Sequence, residues 1–289
     1  MAGERSIRIA AVGDLHYASG RGALADIFAT ANKEADILVL CGDLTTHGRP
    51  EQMIGFTKEL ASLDIPVVAV FGNHDHEADA IEELTEILTK KGVHVLDGES
   101  VVVDGVGFAG VKGFAGGFGR GTLAPFGEPL IKNFVQHAID ESLKLENALR
   151  TLDAETKVVV MHYSPIPETL QGEPDVIMPF LGTSRLLPPI ETHGADVVFH
   201  GHAHAGHPEA TTPTGVPVYN VALPVLRRSG DILRIFRARA PERRGRRTTD
   251  RGRVDDDVTL ESTPSRDRSK PRRRRAEPPR DHPEHRHNP

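Results

Sequence analysis

Eight residues of this 289-residue chain are of types that hold divalent cations and sit in settings that could bring them together: Asp14, His16, Asp43, Asn73, His74, His162, His202 and His204. All offer oxygen or nitrogen donors, and all follow short apolar runs. Ile9–Val12 leads into Gly13-Asp14-Leu15-His16, Ile37–Cys41 into Gly42-Asp43, and Val67–Phe71 into Gly72-Asn73-His74-Asp75. Val158–Met161 leads into His162, and Val197–His200 into Gly201-His202-Ala203-His204. Runs this rich in Val, Ile and Leu suit parallel strands buried on both faces. In open α/β sheets the crevice forms beyond the carboxyl ends of the strands, so five strand ends would deliver Asp, Asn and His to one place. Imidazole and carboxylate donors without thiolate fit Mn, Fe, Zn or Co. Gly-Asp pairs and lone histidines are common in loops, so the reading rests on the ordered set.

The elements between these motifs read as alternating helices and strands. The first strand is expected over residues 6–12. Helices are expected over 23–34, over 51–60 with Pro50 in its first turn, and over 77–91, where acids come early, lysines late and Gly92 stops the helix. Short strands follow over 93–96, 100–103 and 106–110, the last two forming a hairpin across Asp104-Gly105. A long helix is expected over 130–152 and a short one over 189–192, with final strands over 216–221 and 232–238. Residues 112–127 are glycine-rich and interleaved with Phe114, Phe118 and Phe126. Two readings stay open there: a substrate-side lid, or an exposed connection with aromatic pegs.

Charge divides the chain into an expected domain over 1–239 and an expected disordered tail over 240–289. The tail carries fifteen Lys/Arg against ten Asp/Glu, a net of +5, so with −6 overall the first 239 residues carry −11. It contains almost nothing apolar to offset its chain entropy. An acidic body argues against holding nucleic acid, which leaves Arg272–Arg275 as the run that could touch nucleic acid, phospholipid head groups or an acidic partner. A charge run is more often simply solvated. No apolar run reaches the roughly 18 residues of a membrane span. The first residues pass into a strand without a signal-peptide core, so a cytoplasmic protein is expected. Cys41, the single cysteine, reads as a small buried hydrophobe rather than a ligand.

In this order the motifs resemble the calcineurin-like metallophosphoesterase superfamily, across roughly residues 6–238. The resemblance implies an α/β fold, a four-layer α/β/β/α sandwich, with a two-metal centre at the strand ends. Carried over by position, Asp14, His16 and His204 would bind one metal, Asn73, His162 and His202 the other, and Asp43 would bridge both. His74 would face the substrate as hydrogen-bond donor or general acid, with Asn73 beside it and His47 a candidate for lining the same pocket. Two dications set against Asp14, Asp43 and a bridging hydroxide leave one surplus positive charge, which attracts an anionic ester. Residues 42–48 read Gly-Asp-Leu-Thr-Thr-His-Gly, and Thr46 stands where several relatives carry an Asp that supports the histidine. Protein phosphatase activity is therefore not expected.

The function this implies is a metal-dependent phosphoesterase acting on a small phosphodiester or nucleotide. Its rivals are a phosphomonoesterase, a non-catalytic scaffold on the same fold, and a nuclease using the basic tail. His200 is a candidate for supporting the ligands from behind.

Overall fold

The computed structural model describes residues 4–241. Of the expected tail only its first two residues fall within that range; Arg272–Arg275 lie outside it.

Two sheets carry the fold. Strands β1 (Glu4–Val12), β2 (Ile37–Cys41), β3 (Val67–Val70) and β4 (His94–Val95) run parallel in the first. Strands β5 (Ser100–Val103), β6 (Val106–Val111), β7 (Lys157–Met161), β8 (Val197–His200), β9 (Glu209–Thr211) and β10 (Pro217–Asn220) form the second, in spatial order β5-β6-β7-β8-β10-β9. Its four central strands are parallel and its two edges antiparallel. Strand β11 (Arg234–Pro241) returns to the first sheet, antiparallel to β1.

Alternation along the strands sets the layers. Val158 and Val160 of β7 and Val197 and Phe199 of β8 join the core of the first sheet. Val159, Met161 and Val198 face the other way, against Leu145, Ala148 and Leu149 of helix α4 (Pro129–Thr151) and Ile190 of α5 (Leu187–His193). The first core also takes Ile27 and Phe28 of α1 (Ala25–Glu34), Met53 and Phe56 of α2 (Pro50–Leu60), and Leu84 and Leu88 of α3 (Ile81–Thr89). Helices thus flank two facing sheets. The Asp104-Gly105 turn joins β5 to β6 with φ of 52° and 87°, the left-handed pair a two-residue hairpin demands.

Three elements differ from the sequence reading, the short edge strand β9 being one it did not anticipate. The helix expected from residue 77 begins at Ile81, because the preceding residues close turns: the amide of Glu77 bonds the carbonyl of His74, and Asp79 takes φ 53°. Helix α6 (Leu223–Arg228) was not anticipated. Arg228 at its end donates to the carbonyls of His204 and Gly206, so this helix braces the loop bearing His202 and His204. Among the described residues no helix is long and apolar enough to cross a membrane.

Candidate metal centre

The parallel strands of both sheets end at one seam, and backbone bonds stitch it. Gly13 N donates to Val221 O at 2.8 Å, and Leu223 N returns a bond to Gly13 O at 3.0 Å, which joins the end of β1 to the end of β10. Asp14 N bonds Gly42 O at 3.0 Å, His16 N bonds Asp43 O at 2.9 Å, and Gly201 N bonds His162 O at 3.1 Å. Asp14, His16, Asp43 and His162 are thereby tied to neighbouring strand ends.

The chain leaves these strands abruptly. Asp14, His16, Asp43 and His202 all adopt positive φ, between 45° and 69°. Such backbone is uncommon outside glycine and costs on the order of 1–3 kcal/mol per residue, so it persists where surroundings enforce it, typically at functional sites. Glycines make room for the crowding: a Cβ on Gly72 would lie 2.1 Å from Asp43 Oδ1, and one on Gly201 would lie 2.3 Å from Asp14 Oδ2. At Gly72 and Gly201 the space a side chain would need is thus taken by the carboxylates of Asp43 and Asp14.

All seven expected ligands gather here. Donor atoms fall into three overlapping groups, Asp14/His16/His204, His16/Asp43/His74 and Asp43/His162/His202, each spanning no more than 4.8 Å. Asp43 belongs to two of them. Asn73 completes the last group, its Oδ1 lying 2.9 Å from His162 Nε2. His162 Nε2 is also 3.4 Å from Asp43 Oδ1, and His204 Nε2 is 2.8 Å from Asp14 Oδ1. Two donors each about 2.1 Å from one cation stand about 3.0 Å apart at a right angle and about 3.4 Å apart at the tetrahedral angle. These separations are the edges such a cage needs. His16 Nε2 is buried without a hydrogen-bond partner and points at Asp43 Oδ2 across 3.7 Å. An orphaned buried nitrogen among carboxylates fits a missing cation.

Backbone carbonyls hold the outer nitrogens of the histidines. His162 Nδ1 donates to Cys41 O at 2.9 Å, and His202 Nε2 to Phe180 O at 3.3 Å. Each bond leaves the ring's other nitrogen unprotonated, the form a metal requires. Burial presses His16 and His202 the same way, His202 down to about 3. Burial alone would raise the Asp14 carboxyl, but the hydrogen bond from His204 and the nearby imidazoles hold it below the usual carboxylate range. The same bond raises His204, so a cation held by this pair would have to displace a proton. Burial drives the Cys41 thiol well upward, which keeps it a protonated, inert core group.

His74 stands at the edge of the cluster, its ring centroid 4.7 Å from that of His16 and its amide bonded to Asp43 Oδ1 at 2.8 Å. Thr46 supplies support through its carbonyl: His74 Nδ1 donates to Thr46 O at 2.9 Å. A carboxylate is nearby as well, since Glu77 Oε2 lies 3.8 Å from His74 Nδ1 and 3.0 Å from His47 Nδ1. His47 is therefore placed beside His74, through Glu77.

Three supporting residues escaped the sequence reading or were only half seen. Buried Asp75 accepts from the amides of Leu44, Thr45 and Gly72 and from the Thr45 hydroxyl, at 2.8–3.1 Å, and so shapes the loop that presents Asp43. Its carboxyl is pushed up to about 6 by burial and by Asp43. Glu77 carries no spacing signal. His200 is buried, gives its Nδ1 proton to Gly201 O at 2.8 Å and bonds the Thr169 hydroxyl at 2.8 Å, which ties β8 to the segment following His162.

Comparison with known proteins gives the same frame. The family model for calcineurin-like phosphoesterases matches residues 7–206. No curated protein sequence matches the chain. Among solved structures, phosphopantetheinyl hydrolase from Mycobacterium tuberculosis is 17% identical with a TM-score of 0.59, over 79% of this chain and 95% of that one. A second is 15% identical with a TM-score of 0.54, over 80% of this chain and 99% of its own. A third, from Thermus thermophilus, is 16% identical with a TM-score of 0.49, over 80% of this chain and 99% of its own. At these identities the first two likenesses show a shared fold.

Proposed function

Because the chain belongs to the calcineurin-like phosphoesterase family, we propose that it is a metal-dependent phosphoesterase whose two cations share Asp43 and whose substrate is a small phosphodiester or nucleotide. The observation that carries this reading is the convergence of imidazole, carboxylate and amide acceptors at metal-edge separations around one aspartate.

Asp14, His16 and His204 would hold one ion, Asn73, His162 and His202 the other, and Asp43 both. Divalent ions bound there lower the pKa of water and neutralise charge on phosphoryl oxygens. Mn, Fe, Zn and Co all suit the donor set.

The chain's own residues supply positioning and proton control. Asp43 cannot swing away, because the His74 amide grips Oδ1 and the Asp75 loop fixes its backbone. His74, anchored through Nδ1 to Thr46 O, has Nε2 left to meet the leaving oxygen and donate a proton as the P–O bond breaks. Glu77 Oε2 stands 3.8 Å from that anchored nitrogen. The amide of Asn73 and the ring of His74 come next to each other in sequence at the mouth of the site, where both can touch phosphoryl oxygens.

The test compares bis-p-nitrophenyl phosphate with p-nitrophenyl phosphate for the full chain with added Mn²⁺. Faster turnover of the diester, lost on chelation, is expected. A large excess for the monoester contradicts the diester preference, and equal activity in an Asp43→Asn variant contradicts the enzyme reading.

A further inference from the structure

Ten large hydrophobic side chains are exposed among the described residues, and seven of them fall within two short stretches, 123–131 and 176–180. Scattered apolar residues need no explanation, whereas a concentration like this marks a recognition surface. The two stretches belong to one structure. Gly116 N donates to Pro179 O at 2.8 Å, Gly117 N to Gly182 O at 3.0 Å, and Ser184 N to Gly117 O at 3.0 Å. Phe118 and Met178 both pack against the buried cluster of Leu170, Leu181 and Ala203. The glycine-rich stretch is thus pinned to residues 178–184 by backbone bonds and an aromatic peg.

That platform reaches the metal centre directly. Phe180 turns its carbonyl to His202 Nε2 at 3.3 Å while its side chain stays 60% exposed, and Val176 nearby is 82% exposed. Leu181 O takes the amide of Ser164, two residues beyond His162, at 3.0 Å. An apolar rim therefore stands at a fixed place against a ligand of the polar centre.

We propose that the rim formed by Val176, Ile177 and Phe180 receives a hydrocarbon part of the substrate, so that favoured esters are amphiphilic, joining a phosphate to an alcohol that carries a hydrocarbon chain. This rests on the phosphoesterase reading above and narrows it to a substrate class. A polar alcohol gains nothing from that rim, while a hydrocarbon chain leaves water there. A membrane surface is the less suited occupant, since no Lys or Arg lies between residues 172 and 184 to meet anionic lipid.

The experiment follows p-nitrophenyl n-alkyl phosphodiesters, methyl to octyl and below their micellar concentrations, with the Mn²⁺-loaded full chain. In parallel, calorimetry measures binding of n-alkylphosphonates of the same lengths. Burial of a methylene contributes about 0.8 kcal/mol, so kcat/KM and affinity should rise about two- to fourfold per carbon over the first few carbons. An Ile177→Ser/Phe180→Ser variant, and separately Val176→Ser, should flatten that slope in both measurements. Hydrolysis of the methyl ester with no dependence on chain length overturns this inference and leaves the phosphoesterase reading standing. Hydrolysis of no ester at all overturns both. Co-sedimentation with phosphatidylcholine vesicles that the variants abolish, or a dimer that they dissociate, also overturns it by giving the rim another occupant.

Discussion

Nε2 of His162 faces Oδ1 of Asn73 across 2.9 Å, while the opposite ring nitrogen is already committed to the Cys41 carbonyl at 2.9 Å. With its single proton on Nδ1, the neutral imidazole presents a lone pair to an amide oxygen, and Asp43 Oδ1 adds a third acceptor at 3.4 Å. These three atoms are placed to share one cation. A divalent ion at 100 times its dissociation constant stabilises by about 2.7 kcal/mol, which is worth roughly 5–10 °C in Tm for a domain of this size. Thermal melts with and without Mn²⁺ or Zn²⁺ should show that rise, and Asn73→Ala should remove most of it.

Gly72→Ala and Gly201→Ala test the packing of the cage. The new methyl would displace Asp43 Oδ1 or Asp14 Oδ2, which lie 2.1 Å and 2.3 Å from the positions it needs. Outer-shell changes typically weaken metal affinity about 10–100-fold, and these should reach at least the upper end of that range. Calorimetric metal titration reads the loss, and an unchanged far-UV circular dichroism spectrum separates it from unfolding.

His74→Asn should lower kcat about 10²–10⁴-fold for an alkyl leaving group, the usual share of a general acid, and far less for p-nitrophenolate, which departs without a proton. Glu77→Gln should act in the same direction and to a smaller extent. The His47 hydrogen bond holds the Glu77 carboxyl below its ordinary range, so Glu77 is charged at neutral pH. Equal losses for both leaving groups would assign His74 to binding alone.

Acid should act through two histidines with opposite signs. Burial holds His200 down at about 4, so between pH 6.5 and 4 the unfolded chain binds a proton that the folded one does not. Stability therefore falls with pH across that window, by about 3 kcal/mol from this group on the basis of 1.36 kcal/mol per pKa unit. Denaturant unfolding of metal-free protein at pH 7 and pH 4.5 measures the fall, which His200→Asn should reduce. His204 is raised by Asp14, so in the metal-free fold its ion pair contributes fully below about pH 6.5 and is lost as pH rises through its raised pKa. Binding a metal requires removing that proton, and metal affinity should accordingly drop as pH falls through that raised pKa.

The gathering of Asp, Asn and His at the strand ends was legible in the sequence because its signals are local: a buried strand is a continuous apolar run, and the residue that ends it can be read directly. The glycines before Asp14, Asp43, Asn73 and His202 were visible as a pattern, but their reason was not, since the space beside them is filled from another strand end. Asp75 and Glu77 stayed hidden because their partners, Leu44, Thr45 and His47, lie about 30 positions away. Thr46 misled in a different way. Reading side chains alone, the sequence showed a lost carboxylate, whereas the structure supports His74 with the Thr46 carbonyl, a group every residue possesses. The start of α3 was placed early because acids favour a helix's first turn, and the left-handed backbone of Asp79 leaves no mark in composition.

Everything proposed for this chain converges on Asp43 serving two cations at once. Metal analysis of stripped and reloaded protein tests that most directly. Wild type should bind two equivalents of Mn²⁺ per chain, Asp14→Ala one, and Asp43→Asn, which keeps a side chain tolerant of the 50° φ at that position, should weaken both. A single equivalent in the wild type, or two equivalents bound undiminished by the Asp43→Asn variant, would contradict the account.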